Sequence, residues 1–484
     1  MWMAVAAPAA RAGDGLKNPC RSCESLKELL LPDVRIDSVS VLTRPDICVL
    51  TGVIGREITF ELLLPAQWNG RFVMGGGGGF VGYVMNRARN MAFDGFATVG
   101  TDTGHKGTDA GWGLNDMERQ LNFGHAAVHR TAEVARAVIR HYYAAPPRYS
   151  YFIGLSRGGG QAMMEAQRYP HDFDGIVAGA PAFNWVGMAT KFNLNTRVLY
   201  GSPENRQPAI TRDHLRILQQ RILEHCDAYD GVRDSILSDP LRCDFNLEDL
   251  PRCKSDIPGE DCFTGKQIDA LKSIYAAVRE GDKVIHGGFP FGGEDEKTGW
   301  FPSVTGPIEG SKPYPTWQAF YGMETFKYLV FNDGEWRYDR YDWQRVYRDT
   351  RYAAAYLNAT GTDYSAFRAR GGKMILYQGW ADPLISALDL VRHYEEAVSA
   401  DTHPEDHIRL FMLPGVTHTG GNGPGKADWF RLISDWVEKG IAPERVIVSK
   451  TEDGKVVMTR PVFPYPRVPV YDGAGDPDRE SSFK

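Results

Sequence analysis

Ser156 lies in a setting that could make its hydroxyl a nucleophile. Residues 154–158 read GLSRG, after a strand-like run at 149–153 and before a helix-like run at 161–168. A G-x-S-x-G sequence at a strand-to-helix turn is typical of a nucleophile elbow, where a strained turn points the serine hydroxyl outward. Taken alone, the motif would favour an ordinary glycine-rich loop, so its interpretation depends on partners elsewhere in the chain.

Two partners follow in the order that an α/β-hydrolase requires, which is Ser, then Asp, then His. Asp382 comes just after a buried strand-like run at 373–377, where open α/β sheets place their sites. His418 lies on a glycine-rich loop between a strand at 408–413 and an amphipathic helix at 428–438. Alternatively, Asp382 only forms an Asx-turn or caps a helix at 385–397, and most of the twelve histidines should be ordinary surface or core residues.

These residue types suit acyl transfer. A serine hydroxyl needs an imidazole to take its proton, and a carboxylate to fix the imidazole tautomer. The tetrahedral intermediate needs backbone donors, and the N–H of Arg157 is the first candidate. The second should come from the five glycines at 75–79, with Gly77 and Gly78 as candidates. A flexible turn is the alternative for this run; a phosphate cradle fits poorly because no Lys-Ser/Thr follows.

Spacing and composition predict the architecture. The motifs indicate an α/β-hydrolase fold, a mostly parallel sheet with helices on both faces, formed by residues 23–185 and 362–463. Ser156 and Asp382 lie 226 positions apart, and the strand–helix alternation fails between them. Between positions 300 and 356, 16 of 57 residues are aromatic, against 12% for the chain. We therefore expect an inserted lid domain at 186–361 that packs on the catalytic domain, although most of these rings could be core. Residues 464–484 should form an extended, poorly ordered tail.

Several longer motifs resemble one enzyme family. They read LPAQWNGRF at 64–72, AQRYP at 166–170, FDGIVAGAP at 173–181, GWADP at 379–383, PGVTH at 414–418 and WVEKGIAP at 436–443. Together with the elbow they are similar to the tannase/feruloyl esterase family of serine hydrolases, over about residues 23–443. This family also contains the hydrolase of mono(2-hydroxyethyl) terephthalate. The resemblance implies a triad of Ser156, Asp382 and His418, and small-molecule esters of aromatic acids as substrates.

The chain departs from the family beside the triad. Much of the family carries a disulfide between a cysteine just before the serine and one just after the histidine. Those positions are Leu155 and Thr419 here. Packing must then hold the triad, and we expect Leu155 to fill the space with apolar atoms.

The seven cysteines suggest disulfides. Four of them lie within 37 residues, which predicts the short loops Cys226–Cys243 and Cys253–Cys262. The resemblance implies Cys23–Cys48 and leaves Cys20 unpaired; a zinc or redox role for Cys20 and Cys23 lacks a second ligand pair. Disulfides persist in oxidising compartments, so we expect a secreted or periplasmic protein. Residues 1–22 then hold a possible signal-peptide remnant, apolar at 2–10.

An acidic loop is a candidate metal site. Asp227, Asp230 and Asp234 surround Gly231, and hard oxygen ligands of this density suit Ca²⁺. On the residues alone, a solvated acidic turn is the favoured interpretation. The resemblance implies a structural calcium loop, with the three Asp side chains and the backbone carbonyls of Val232 and Ile236 as ligands.

Composition narrows the function classes. A net charge of −6 and a pI near 6.1 argue against nucleic acid or an anionic membrane as partner. No apolar run of 18 residues occurs, and no organic cofactor is expected. We expect ester hydrolysis through an acyl-enzyme, on feruloyl, galloyl, chlorogenic or terephthalate half-ester substrates by resemblance. The alternatives are acyl transfer, lactone opening, or a catalytically silent fold that binds an aromatic ligand.

Overall fold

The structure is a computed structural model that describes residues 16–308 and 313–484. The apolar run at 2–10 lies outside the described residues. Thirteen strands are described, and nine of them form one sheet in the order β1-β2-β3-β5-β4-β6-β7-β10-β11. The strands are β1 (Val34–Leu42), β2 (Ile47–Ile54), β3 (Ile58–Pro65), β4 (Arg71–Gly75), β5 (Ala97–Thr101), β6 (Tyr149–Leu155), β7 (Gly175–Gly179), β8 (Val278–Glu280), β9 (Lys283–His286), β10 (Lys373–Gly379), β11 (Ile408–Leu413), β12 (Val446–Glu452) and β13 (Lys455–Val462).

The sheet is antiparallel at one end and parallel elsewhere. Strands β1, β2, β3 and β5 pair antiparallel, whereas every pair from β5 and β4 through to β10 and β11 is parallel. The parallel strands are short apolar runs; all six residues of β11 are buried. Such runs are typical of strands covered on both faces. This mixed, mostly parallel sheet confirms the expected α/β-hydrolase fold.

Helices cover both faces of this sheet. Alternate side chains of the parallel strands point to opposite faces. Phe152, Met374 and their neighbours pack against α2, α3 and α10 on one face. Tyr151 and Ile375 pack with α11 and the β12–β13 hairpin on the other. The helices are α1 (Met117–Leu121), α2 (Ala127–Tyr143), α3 (Arg157–Arg168), α4 (Trp185–Tyr200), α5 (Arg212–Cys226), α6 (Gly265–Tyr275), α7 (Trp317–Glu324), α8 (Val346–Leu357), α9 (Ser365–Ala369), α10 (Ala387–Ser399) and α11 (Trp429–Lys439).

The segment between β7 and β10 contributes no strand to the main sheet in its described part. It holds helices α4 to α9 and the small β8–β9 hairpin. Seven of the sixteen aromatic residues at 300–356 belong to one apolar cluster, in which Phe326 contacts Trp336 and Trp343. The assignment of residues 186–361 to a separate lid domain stays a prediction.

The C-terminal residues 464–484 are extended and lie against the acidic loop. The N–H of Tyr471 donates to the carbonyl of Asp230 over 3.0 Å, and Phe483 is buried beneath the guanidinium of Arg460. This differs from the poorly ordered end that the proline- and charge-rich sequence suggested, because backbone pairing and one buried ring anchor the segment.

Three disulfides are present, and they are the expected pairs Cys23–Cys48, Cys226–Cys243 and Cys253–Cys262. Cys20 is free and exposed. Among the described residues, no helix has the length and apolar character needed to cross a membrane.

Candidate active site

Ser156 occupies a sharp turn between β6 and α3. Its φ of 63° and ψ of −122° lie in a region that non-glycine residues rarely adopt, so the turn is strained. The Ser156 N–H donates to the carbonyl of Gly179 over 2.9 Å. A Cβ on Gly154 would lie 2.1 Å from the Gly158 carbonyl oxygen, so only glycine lets the strand pass the helix this closely. The turn therefore has the geometry of a nucleophile elbow.

The fold brings Ser156, Asp382 and His418 into one hydrogen-bonded chain. His418 Nε2 lies 3.0 Å from Ser156 Oγ, and His418 Nδ1 lies 2.8 Å from Asp382 Oδ2. Asp382 is buried, and its Oδ1 accepts from the N–H groups of Leu384 and Ile385, both over 2.9 Å. The following helix is α10, and its cap is Ser386. Asp382 is thus not the helix cap, and its second oxygen is free for the imidazole.

The environment of His418 favours a base that Asp382 holds in place. Burial lowers the pKa of the imidazole, but the charge of Asp382 and its hydrogen bond outweigh burial, so the pKa is raised above 6.5. An Asp382 acceptor at Nδ1 places the proton there and leaves Nε2 facing the Ser156 hydroxyl. The arrangement can take a proton from serine and stabilise the resulting imidazolium.

Of the two candidate oxyanion donors in the glycine-rich run, one is already engaged in a hydrogen bond. The N–H of Gly77 donates to the buried Oε1 of Gln161 over 3.0 Å, so Gly77 is not available as an oxyanion donor, which corrects that expectation. The N–H groups of Gly78 and Arg157 make no hydrogen bond within residues 16–308 and 313–484. Gly79 and Ser156 line the same cavity. Gly78 and Arg157 therefore remain the candidate donors.

The side chain of Arg157 is buried behind the elbow. It donates to the carbonyls of Phe123 and Gly124 over 2.6 and 3.0 Å, and lies over the rings of Phe123 and Trp185. Desolvation lowers its pKa to about 9, which leaves the guanidinium charged at neutral pH. This cation joins the start of α3 to Trp185, a residue of the cavity wall.

A cavity of about 430 Å³ opens beside Ser156 and is called the first cavity below. Its wall is mainly apolar, and Lys297 is its only Lys, Arg, Asp or Glu side chain among the described residues. The aromatic-rich segment 300–356 contributes Trp317 and Tyr321 to this wall. The wall also includes residues of α4, in which apolar and polar residues are both buried, so its sequence does not mark the face that lines a cavity. The lining includes Trp185, Met188, Phe192, Trp317, Tyr321, Leu384 and Ile385.

A second cavity, of about 450 Å³, also borders His418. Leu155 and Thr419, the two positions beside the triad, both line it. Leu155 is half-buried and packs against the apolar cluster that includes Trp185, and its role in filling the space beside the triad stays a prediction. His418 and Thr419 are shared by the two cavities.

The acidic loop is held partly by its own backbone. Asp227 Oδ2 accepts from the Ser235 N–H, and Asp234 Oδ2 pairs with Arg460 at 2.6 Å. Asp227 Oδ1 is buried and has no donor among the described residues. Burial raises the pKa of Asp227 and of Asp230. The three carboxylates do not all approach within 4.8 Å of one another. Asp227 Oδ1, which is buried and has no hydrogen-bond donor, is nevertheless suited to bind a cation.

One buried cluster of titratable side chains has no recognisable motif in the sequence. Within the described residues, His129, Glu165 and Asp172 form the one group of three whose potential ligand atoms all lie within 4.8 Å of one another. Arg136 and His129 already hold the two oxygens of Asp172, each at 2.6 Å. Burial and the neighbouring Asp172 raise the pKa of Glu165 well above its ordinary value. A protonated Glu165 therefore satisfies this cluster without a metal.

Comparison with known proteins places this site in a family. The family model described as tannase and feruloyl esterase matches residues 48–484. The chain belongs to the tannase and feruloyl esterase family. It is therefore a carboxylic ester hydrolase, which confirms the resemblance seen in the motifs.

Relatives of this tannase/feruloyl esterase family member agree over nearly their whole length. An uncharacterized esterase of Xanthomonas campestris is 32% identical over 96% of this chain and 90% of its own. The mono(2-hydroxyethyl) terephthalate hydrolase of Piscinibacter sakaiensis is 29% identical over 92% of this chain and 86% of its own. The crystal structure of feruloyl esterase B from Aspergillus oryzae superimposes with a TM-score of 0.84 at 25% identity, over 96% of this chain and 99% of that one.

Proposed function

We propose that this protein hydrolyses esters of aromatic carboxylic acids through an acyl-enzyme on Ser156. One observation carries the proposal: the hydrogen-bonded chain from Ser156 Oγ through His418 to Asp382 ends at an aromatic-walled cavity. A catalytically silent protein that only binds aromatic ligands would not need these hydrogen bonds between Ser156, His418 and Asp382. Hydrolysis is therefore the better explanation.

The chemistry follows from the geometry. Ser156 Oγ attacks the ester carbonyl while His418 Nε2 takes its proton, and the N–H groups of Arg157 and Gly78 hold the oxyanion. The imidazolium then protonates the leaving alcohol oxygen, and the acyl group stays on Ser156. In the second half, water attacks the acyl-enzyme while His418 takes its proton, and His418 then returns that proton to Ser156 Oγ as the acid leaves. Acyl transfer or lactone opening would use the same groups with a different acceptor or substrate.

The first cavity supports aromatic acyl groups. Trp185, Phe192, Trp317 and Tyr321 give it flat apolar walls, and aromatic rings pack well against such surfaces. A relative with a solved structure is named feruloyl esterase B. These observations favour hydroxycinnamic or gallic acid esters.

A terephthalate half-ester is the second candidate. The relative from Piscinibacter sakaiensis is named for such a substrate, and Lys297 lines the first cavity. Lys297 is exposed and has no ion-pair partner within the described residues, so its ammonium could receive a free carboxylate on the acyl ring. No arginine is among the residues that line this cavity in the described part of the chain.

A panel of methyl esters tests the proposal and ranks its candidates. We expect methyl ferulate or methyl gallate to be hydrolysed with kcat/KM at least about tenfold above methyl hexanoate, because the flat walls favour rings. A fluorophosphonate probe should abolish this activity and leave one adduct, located on Ser156 by mass spectrometry. Monomethyl terephthalate would lead the panel if Lys297 selects a half-ester. Equal rates across the panel, or an adduct elsewhere, would contradict the proposal.

We propose further that the protein is secreted or periplasmic and that the acidic loop binds calcium. Its three disulfides support an oxidising compartment. For calcium, the buried, donor-free Asp227 Oδ1 is the supporting observation. Asp230 and Asp234 would complete the side-chain ligands, with the carbonyls of Val232 and Ile236. A bound ion would stabilise the loop and the tail that lies on it.

Removal of calcium should lower stability more than activity. A ligand at a hundredfold excess over its Kd stabilises the native state by about 2.7 kcal/mol, which for a chain of this size corresponds to about 3 °C in Tm. We therefore expect EDTA to lower the Tm by about that amount, while activity at 25 °C changes little. The Asp227→Asn variant should start at the lower Tm and ignore EDTA. An unmoved Tm in the wild type, with no calcium by elemental analysis, would identify a solvated acidic loop.

A further inference from the structure

Arg157 carries a buried positive charge that no neighbouring acid neutralises. Its side chain is 1% exposed and takes part in no ion pair in the described part of the chain. Burial alone lowers its pKa, with no carboxylate acting against it. A cation buried without a counter-charge lowers stability, and exceptions of this kind concentrate at functional sites.

The groups that hold Arg157 belong to an unusual element. Its Nη2 donates to the carbonyls of Phe123 and Gly124, and both residues lie in a π-helical turn at Asn122–Ala126. Such turns are rare and occur frequently at functional sites. A Cβ on Gly124 would lie 2.4 Å from the carbonyl oxygen of Tyr356, so the turn is packed tightly against α8. The two acceptors are therefore held in fixed positions.

The cation lies close to the reacting atoms. Arg157 follows Ser156 directly, and its own N–H is a candidate oxyanion donor, so one side chain separates the charge from that donor. Its Cζ also lies 5.1 Å from the centre of the Trp185 ring, which lines the first cavity together with Ser156. The wall of this cavity is mainly apolar, and a charge acts over longer distances where water is excluded. Negative charge that develops beside Ser156 would therefore feel this cation.

His125, in the same π-helical turn, is neutral. Burial in the first place, and then the charges of Arg168 and Arg157, lower its pKa to about 4. The positive charge behind the elbow at neutral pH therefore comes from Arg157 and not from His125.

We propose that the Arg157 side chain assists ester hydrolysis in two ways: its charge stabilises the oxyanion, and its bonds to the π-helical turn fix the N–H that binds this oxyanion. This inference rests on the proposed function and adds a positioning residue to it. Arg157 transfers no proton, and it is not among the described residues that line the first cavity. Its effect falls on the anionic transition state and not on binding of the neutral ester.

Two neutral variants and one charged variant test this inference. Arg157→Gln keeps a donor for one carbonyl, Arg157→Met keeps apolar contact with the two rings, and Arg157→Lys keeps the charge. On the methyl ester that the wild type hydrolyses fastest, we expect both neutral variants to lower kcat by about 10- to 100-fold, less than the loss of a direct oxyanion donor. KM should change by less than about threefold, and Arg157→Lys should recover most of the lost kcat. Either neutral variant suffices if the other does not fold.

Two ligands that share one ring system separate charge stabilisation from a structural role. Styrylboronic acid forms an anionic tetrahedral adduct, because Ser156 Oγ bonds to boron while His418 takes the serine proton. Cinnamamide binds as a neutral molecule. We expect the neutral variants to bind the boronic acid at least about tenfold more weakly, and cinnamamide within about twofold of the wild type. A damaged cavity would weaken both ligands alike.

Arg409→Gln is the matched control. Arg409 is also buried, its Cζ lies 5.4 Å from the centre of the Trp436 ring, and it is not among the described residues that line either cavity. Its loss should lower the Tm, while kcat and the affinity for both ligands stay at wild-type values.

Three results would overturn the inference. They are a neutral Arg157 variant with kcat within about threefold of the wild type, an Arg157→Lys variant as slow as the neutral ones, and equal weakening of both ligands. Absence of both hydrolysis and the boronate adduct in the wild type would instead count against the proposed function, so the two failures are distinguishable.

Discussion

Replacement of Ser156 by alanine is expected to lower kcat for ester hydrolysis by about 10⁵- to 10⁶-fold. The substitution removes Oγ, the atom 3.0 Å from His418 Nε2, and leaves no other hydroxyl in the hydrogen-bonded chain. Loss of a serine nucleophile of this type costs rates of that order, and the oxyanion donors supply what remains. The measurement is kcat on methyl ferulate with freshly purified protein.

The Ser156 variant needs proof that its fold and cavity persist. Alanine keeps the Cβ and the strained backbone, so its Tm should stay within a few degrees of the wild type, and methyl ferulate should still bind. Ser399→Ala, an exposed serine at the end of α10, provides the matched control and should keep full activity. Retention of more than about 1% of wild-type kcat by Ser156→Ala would mean that another group is the nucleophile.

The strands could be predicted well from local sequence, because an apolar run marks each strand and turn residues mark where it ends. The predicted strand at 408–413 coincides with β11, and that at 373–377 lies within β10. Both are apolar runs that end at turn residues. The predicted helix at 428–438 matches α11, with Asp428 as its cap.

The start of α3 was harder to predict because tertiary packing decides it. The glycines after Ser156 read as a loop, so the helix was expected from Gln161, whereas α3 begins at Arg157. A Cβ on Gly159 would lie 2.4 Å from the Gly179 carbonyl oxygen. These positions need glycine because the helix passes close to the backbone of neighbouring segments. Helix propensity, which is a local property, cannot predict that contact.

The triad could be inferred from order, but the cavities could not. Strand ends meet at one edge of a parallel sheet, so motifs after β6, β10 and β11 had to converge. By contrast, Trp185 and Phe192 belong to a helix that is buried on nearly every side, including polar residues such as Asn193, so no polar face marks which side lines the first cavity. The choice between Gly77 and Gly78 likewise depends on one side chain, Gln161, which approaches from another element.

Asp382→Asn is expected to lower kcat at neutral pH by about 10⁴-fold while the fold stays intact. The asparagine amide would donate to His418 Nδ1, which forces the ring proton onto Nε2, where it faces Ser156 Oγ. An imidazole in that tautomer cannot take the serine proton. The measurement is kcat on methyl ferulate across pH 5 to 9, for the variant and the wild type.

The pH profile separates this positioning role from a merely structural one. In the wild type Asp382 raises the pKa of His418, so activity should fall as the pH drops through a midpoint above 6.5. Without that charge, burial and Arg87 both lower the pKa, and the midpoint of the residual activity should move below 6.5. Asp428→Asn keeps a good helix cap before α11 and should change neither quantity. An unmoved midpoint, or a loss of less than about tenfold, would show that Asp382 does not orient His418.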